Sequence, residues 1–264
     1  MTPQTKGSMR QLLLAILACS AVTTPVLAQK AEDYYDAEAM RTARDKLREM
    51  SGGQVLKFLQ VDRLENFGHN GKNGMLWEGQ GWIGSDYQRL WIKTEGEFLA
   101  PRIGGIEDGE IQALYSRAVR PLFDFQAGIR QDLKPGERRT FGVIGFQGLA
   151  PYWFELDTAL FISHEGDVSA RAEVEYEFLL TQRLILQPRA EVNFAVQDVP
   201  RLGIGHGLST SEFGLRLRYE FKRQFAPYVG ISWLGSSGRT ADFDRLRGRD
   251  TSGLTIVGGL RLWF

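Results

Sequence analysis

The side chains of this 264-residue chain that could do chemistry fall into two sets. The first suits soft and borderline metals: imidazole at His69, His164 and His206, and thioether at Met40, Met50 and Met75. None of the histidines belongs to a His-x-His or His-x-x-x-His pair, so a metal site would be composite. His69 with Met75, met by His206 across the mouth of the fold, is the combination left open, beside the plainer reading of the three histidines as exposed loop residues and of Met40 and Met50 as ordinary helix residues. The second set is charged: Glu155, Asp157, Glu173, Glu175, Glu177, Glu191 and Glu220 against Arg171, Arg183, Arg189, Arg216 and Arg218. Brought together, these either neutralise one another as a structural network or offer weak carboxylate sites along a cation path.

What positions the charged set is a code of period two. From Val168, the residues Val168, Ala170, Ala172, Val174, Tyr176 and Phe178 share one parity, and Ser169, Arg171, Glu173, Glu175 and Glu177 the other. From Arg183 to Val196 the pattern returns, Leu184, Leu186, Pro188, Ala190, Val192 and Phe194 against Arg183, Gln187, Arg189, Glu191 and Asn193, with Ile185 the exception. Such alternation is that of a strand. Each run lasts about ten residues, the length that crosses a bilayer at a tilt, so the apolar parity faces lipid and the charged parity a lumen. A turn centred on Thr181 predicts Glu173 opposite Arg189 and Arg171 opposite Glu191.

Twelve such strands are expected: Val55 to Leu64, Met75 to Gly84, Arg89 to Glu97, Glu110 to Val119, Leu122 to Gln131, Thr140 to Gly148, Tyr152 to Ile162, Val168 to Phe178, Arg183 to Val196, Ser211 to Lys222, Ala226 to Trp233 and Gly253 to Phe264. Connections after even strands are brief, and those after odd strands are mostly longer, Ser163 to Asp167 excepted. Membrane barrels combine short periplasmic turns with longer outer loops. The expected fold is therefore all-β: a transmembrane antiparallel up-and-down β-barrel of about twelve strands, with a short N-terminal periplasmic helix. The ending Leu260-Arg261-Leu262-Trp263-Phe264, with its terminal aromatic, fits a barrel's last strand.

Lys6 and Arg10, the apolar run Leu12 to Ala18, and Val26-Leu27-Ala28 read as a signal peptide over residues 1–28. Cys19 after Leu17-Ala18 leaves lipidation as the alternative. Setting Lys6 and Arg10 aside leaves 30 basic against 32 acidic groups, a net charge of −2 that gives no argument for a nucleic-acid partner. Without Cys19 the mature chain has no cysteine, which excludes disulfides and thiolate metal sites. Residues 29–54 form an N-terminal extension whose stretch 31–50, acidic first and basic later, predicts a helix closed by Ser51-Gly52-Gly53. Residues 55–264 form the barrel in the outer membrane, in contact with its lipid.

Enzymatic readings are weaker, and the chain is expected not to be an enzyme. Ser163 and His164 could suggest a membrane-embedded hydrolase, but adjacent strand residues point to opposite faces. Gly203, Gly205 and Gly207 lie between strands with no expected helix after them, so a phosphate cradle is not indicated.

The residues also resemble a family. Val61-Asp62-Arg63-Leu64-Glu65, Trp77 to Tyr87, Arg89 to Glu97, Tyr115 to Val119, Gly148 to Glu155, Leu180 to Arg189 and Phe225 to Gly230 resemble the copper resistance protein B family of the bacterial outer membrane. The resemblance covers nearly all of residues 55–264 and implies a role in copper tolerance, with copper bound or transported, alongside a periplasmic multicopper oxidase partner. Members often carry a Met- and His-rich segment before the barrel. Here that place holds the charged stretch 31–50, with only Met40 and Met50. Cu(I) prefers thioether, thiolate and imidazole, and Cu(II) accepts imidazole with carboxylate, which makes His69, Met75, His206, Met40 and Met50 the candidate copper ligands. A general small-solute pore without a copper role is the competing expectation.

Overall fold

The computed structural model describes residues 36–47, 50, 54–69, 72–99, 106–133 and 138–264. The expected signal segment, and residues 31–35 and 48–49 of the expected helix, lie outside them. The chain divides into two compact units, residues 1–53 and 54–264. In the first, helix α1 (Ala37–Leu47) starts at Asp36, whose carboxylate accepts the Ala39 N–H at 3.1 Å, an N-cap for one of the free first-turn donors. Glu38 in its first turn and Arg44 and Lys46 in its last complement the helix dipole.

The second unit is a closed barrel. Its strands are β1 (Leu56–His69), β2 (Lys72–Gly84), β3 (Gln88–Leu99), β4 (Ile106–Arg120), β5 (Phe123–Asp132), β6 (Thr140–Ala150), β7 (Phe154–Ser163), β8 (Val168–Glu175, resumed at Phe178–Leu179), β9 (Leu184–Ala195), β10 (Gly207–Tyr219), β11 (Phe225–Ser236) and β12 (Ser252–Trp263). Each strand pairs antiparallel with its sequence neighbours, and β12 pairs with β1. Closure matters because a strand edge facing hydrocarbon leaves each N–H and C=O unsatisfied, at several kcal/mol per group. Leu59, Ile92, Ile129, Phe213, Ile231 and Ile256 are exposed on the outer face, while Gln60, Gln112, Gln126, Arg189, Arg216 and Arg218 are buried inside. The expected twelve-stranded barrel is thus the fold.

Local departures from the simple code shape the lumen. In β1, Val61 faces Gly79 and Arg63 faces Glu78, so Asp62 is an extra residue, a β-bulge. Gln60 before it and Arg63 and Glu65 after it are therefore all buried inside despite their different parity. The β8–β9 register corrects the expected pairing: Arg189 faces Glu175, Glu191 faces Glu173 and Asn193 faces Arg171. The turn is centred on Gln182, one residue beyond Thr181. Thr181 Oγ1 accepts the N–H groups of Arg183 and Leu184, at 3.2 and 2.9 Å, and draws the turn around itself. Pro188 accepts the Tyr176 N–H at 3.1 Å and has none to return, which interrupts β8 between Glu175 and Phe178.

The connections also differ from expectation. The stretch 65–74, expected as an outer loop, is mostly strand, β1 and β2 running on until His69 pairs with Lys72. The stretch 234–252 contains helix α2 (Gly238–Leu246). The Gly203 to Gly207 loop packs on that helix: Thr240 Oγ1 accepts the Gly205 N–H at 2.9 Å, and a Cβ on Gly205 would come within 2.3 Å of Arg239.

Between β6 and β7 the chain turns through Pro151–Trp153, with Tyr152 at φ 68° and Trp153 at φ 67°. Ala150 pairs with Phe154, so the turn is three residues long, and left-handed positions in such tight turns are normally filled by Gly or Asn. Bulky residues there cost roughly 1–2 kcal/mol each. Both rings are exposed, beside the outward aromatic row Phe154, Tyr176 and Phe178, whose centroids lie 4.9 and 4.4 Å apart. Tyr and Trp gain there from the membrane–water interface. Replacing Tyr152 by Asn and Trp153 by Gly is expected to raise the unfolding free energy in short-chain detergent by about 1–2 kcal/mol, read as a higher urea midpoint at unchanged slope. A lower midpoint would show that the rings contribute more than the turn costs.

Candidate functional site: the ion-paired lumen

The inward face places arginines at the centre of the barrel. Arg189 on β9 is the hub: Nε and Nη2 donate to the two Glu173 oxygens at 2.7 and 2.8 Å, Nη2 also to Glu191 at 2.8 Å, and Nη1 lies 3.3 Å from Glu212. Its side chain is 3% exposed. Arg63 on β1 pairs with Glu78 and reaches Glu212 on β10 at 3.1 Å. Arg171 on β8 crosses the lumen to Glu95 on β3 at 2.6 Å and Glu110 on β4 at 3.1 Å, and Arg130 on β5 meets Glu110 at 2.8 Å. Arg216 on β10 donates Nε to Glu65 at 2.5 Å. A Cβ on Gly214 would lie 2.3 Å from Arg216 Nη1, so the glycine leaves the space this guanidinium fills. The Arg171 bonds join opposite walls, the Arg63–Glu212 and Arg216–Glu65 bonds tie β1 to β10, and the others lie within one strand or link neighbours, so ion pairs both line and cross the lumen.

The wall is not charged throughout. Trp91, Leu114, Phe141, Val143 and Phe161 form a buried apolar cluster, with Trp82 and Ala159 against it. The guanidinium of Arg130 lies over Phe141 and Phe161, at 4.9 and 4.7 Å from the ring centroids, and that of Arg171 lies 5.6 Å from the Phe161 centroid. Aromatic faces thus hold the cations that the carboxylates neutralise. The expected charged parity thus shares the inner face with an apolar sector. Ile185, the exception in the alternation, is buried as well.

A lumen cavity of about 250 Å³ remains, lined among others by Asp62, Glu155, Asp157, Glu173, Glu175 and Gln187. Its carboxylates crowd: Glu155 faces Glu175, and Asp157 faces Glu173, directly across β7 and β8. Directly opposed like charges destabilise a strand pair, so each needs a counter-partner. Lys93 pairs with Asp157, Arg189 with Glu173, and Gln187 donates to Glu175. Arg218 and Arg261 both reach Glu177 Oε1 at 2.7 Å. Such oxygen donors suit hard or borderline cations. Among the described residues no group of three or more His, Cys, Asp or Glu is arranged to hold a metal.

Of the charged set read from the sequence, Glu173, Glu177, Glu191, Asp157, Arg171, Arg189, Arg216 and Arg218 take part in the network, and Glu220 reaches Arg218 at 3.5 Å. Glu175 joins it through Gln187, and Glu155 lines the cavity. Arg183 does not join: it stands exposed in the β8–β9 turn. The expected pairs Glu173–Arg189 and Arg171–Glu191 exist as diagonal contacts, at 2.7 and 3.7 Å, instead of facing pairs. Arg63, Glu65, Glu78, Glu95, Glu110 and Glu212 carry as much of the network and were not singled out.

The candidate metal ligands are not gathered. Met75 opposite Phe98 shares the outward parity of Trp77, and His69 ends β1, its side chain outside the described residues. His206 is 60% exposed, with Nδ1 2.8 Å from Asp198 Oδ1, which also accepts the His206 N–H at 2.7 Å. These hydrogen bonds hold the Asp198 carboxyl below its ordinary range, so its grip on His206 persists until pH falls through that lowered value. The pairing leaves the second imidazole nitrogen toward solvent. Met40 sits half-buried on α1 and Met50 is 85% exposed. Ser163 Oγ accepts the Glu165 and Asp167 N–H groups, while His164 Nδ1 lies 3.3 Å from the Thr140 backbone, so the two hydrolase candidates serve different turn contacts.

A closed antiparallel barrel, apolar outside and ion-paired within, defines an outer-membrane β-barrel protein. Among solved structures the NanC porin in a rhombohedral crystal form resembles it with a TM-score of 0.53 at 13% identity, over 77% of this chain and 98% of that one, a likeness of fold alone. The family described as "Copper resistance protein B precursor" matches residues 55–264. The copper resistance protein B homolog of Pseudomonas syringae pv. tomato is 45% identical over 80% of this chain and 70% of its own, and copper resistance protein B of Escherichia coli 44% over 77% and 68%. The chain belongs to the copper resistance protein B family and resides in the outer membrane.

Proposed function

We propose that this barrel serves copper resistance by binding copper at its ends and guarding its release, instead of acting as an open pore. The observation that carries this reading is the set of ion pairs that cross the lumen, Arg171 on β8 with Glu95 on β3 and Glu110 on β4, and Arg189 on β9 with Glu78 on β2 at 3.8 Å, which leaves little free section for unselected solutes. In this reading residues 1–28 direct export and are removed, the short turns face the periplasm, and residues 29–54 lie on that side. Cu(II) is taken at His206 through the imidazole nitrogen that Asp198 leaves free, an orientation typical of metal-ligating histidines. Lumen carboxylates supply weaker oxygen sites, while Met40 and Met50, with His69 and Met75 as further donors, suit Cu(I). The extension offers a docking segment for a periplasmic multicopper oxidase. The charged lumen and turn-bound Ser163 give no support to catalysis.

Titrating the refolded barrel with copper, with and without residues 29–54, tests this. The barrel alone is expected to bind, and Asp198→Asn to weaken its affinity about tenfold by releasing the imidazole. Absence of copper uptake by either form at micromolar metal would remove direct binding. Equal flux of unrelated small solutes through barrel-containing liposomes would favour the general pore.

A further inference from the structure

The outer face of the barrel carries a depression on β2. Gly79 and Gly81 on β2 are outward residues without side chains, facing Val61 and Leu59 on β1 and Thr94 and Ile92 on β3. The result is a trough one strand wide: β2 backbone is its floor, Leu59 and Val61 one wall, Ile92 and Thr94 the other, and Trp77 and Ile83 its ends, enclosing about 530 Å³. The Trp77 indole N–H donates to Thr94 Oγ1 at 3.3 Å and its ring packs on Phe98, centroids 4.8 Å apart, so the end wall is held in place. The polar atoms nearby are thereby spent on each other, and the lining that remains is hydrocarbon.

We infer that this trough seats one acyl chain of a phospholipid in the leaflet next to the short turns. Size and place argue for this occupant. From Trp77 to Ile83 the floor rises through six residue steps, roughly 20 Å at strand geometry, and at a tilt of about 40° this spans roughly 15 Å of membrane depth. That is half of a hydrocarbon core of about 30 Å, so the trough is as deep as one leaflet. It lies in the β2 half next to the turn at Ser85 to Gln88, with Ile83 one residue from Gly84. With the short turns in the periplasm, an orientation taken from the functional reading above, that leaflet is the phospholipid one. A straight chain fits because the floor lacks branches where methyl groups would block it, and within the bilayer its gain over other lipid tails is one of van der Waals packing.

The test is native mass spectrometry of the full-length protein extracted from the outer membrane in mild detergent. The wild type is expected to carry one phospholipid. Gly79→Leu with Gly81→Leu fills the floor, and Ile92→Trp independently overhangs it from the wall. Each should lower lipid occupancy about tenfold by removing the chain's packing contacts with the floor. The same filling on another outward face, Ala170→Leu with Ala172→Leu, should leave occupancy unchanged. Urea midpoints report whether each variant is folded, and the Ile92→Trp arm keeps the test open if the glycine variant is not. Equal occupancy in wild type and Ile92→Trp, retention of lipopolysaccharide in place of phospholipid, or a mass of two chains lost on filling would each overturn the assignment. The copper titration is unaffected by any of these outcomes, so the two readings fail separately.

Discussion

Replacing Arg189 by alanine is expected to lower the unfolding free energy of the barrel by about 3–5 kcal/mol, because removing the hub of a buried ion network leaves Glu173 charged and without its ion pair and weakens the pairing of Glu191 and Glu212. Arg189 touches Glu173, Glu191 and Glu212, and its side chain is almost wholly enclosed. Two of those carboxylates, Glu173 and Glu191, face each other directly across β8 and β9. Without the guanidinium between them, that like-charge contact is offset only by Arg171, 3.7 Å from Glu191, and Glu173 loses its ion pair. Arg183→Ala, in the exposed turn of the same hairpin, is expected to change stability by less than about 0.5 kcal/mol. Urea unfolding in detergent, followed by heat-dependent gel mobility, measures both. A loss below about 1 kcal/mol for Arg189→Ala would mean that water enters the network freely and that the ion pairs are not what closes the lumen.

The second large effect concerns passage. Arg171 crosses from β8 to Glu95 and Glu110 while its guanidinium lies over Phe161, so it occupies the lumen section instead of lining it. Arg171→Ala is expected to convert planar-bilayer recordings from an unresolved baseline to discrete, cation-preferring steps, since Glu95 and Glu110 then face the opened space. Its stability cost is expected to be about 3 kcal/mol, set by the stranded Glu95, since Glu110 keeps Arg130. Arg171→Lys should restore the closed baseline only partly, because an ammonium is a compact charge that cannot bridge Glu95, Glu110 and Asn193 as a planar fork does. Full-size steps in the wild type would refute the closed-lumen reading.

Much of the fold was legible because a membrane strand leaves each side chain only two destinations. The alternation at Val168 to Phe178 and Arg183 to Phe194 placed Arg171, Glu173, Arg189 and Glu191 inside, where they are found. Register was harder, since it depends on how Thr181 hydrogen-bonds its own turn, a choice local sequence barely distinguishes from a turn one residue earlier. On β6 both parities are apolar, Phe141 and Val143 inside and Ile144 and Phe146 outside, so the lumen's apolar cluster carried no contrast to read. Helix α2 is a short, mostly polar segment within a glycine-rich connection, and its tie to Gly205 through Thr240 is tertiary. The metal set was legible as chemistry alone: nothing in the spacing of Met75 and His206 states that one lies on the outer face and the other beside Asp198.

The bulge at Asp62 bears on how this strand tolerates changes in length. A strand with two different faces normally cannot lose a residue, because everything beyond the deletion turns over. With Asp62 removed, Val61 would be followed by Arg63, one outward and one inward, already in step with Gly79 and Glu78 of β2. Removing Leu64 instead would turn either Arg63 or Glu65 toward lipid. Asp62 is thus the point in β1 where a codon can be lost while the inner and outer faces keep their places, at the cost of its contacts to Gln80 and Arg261.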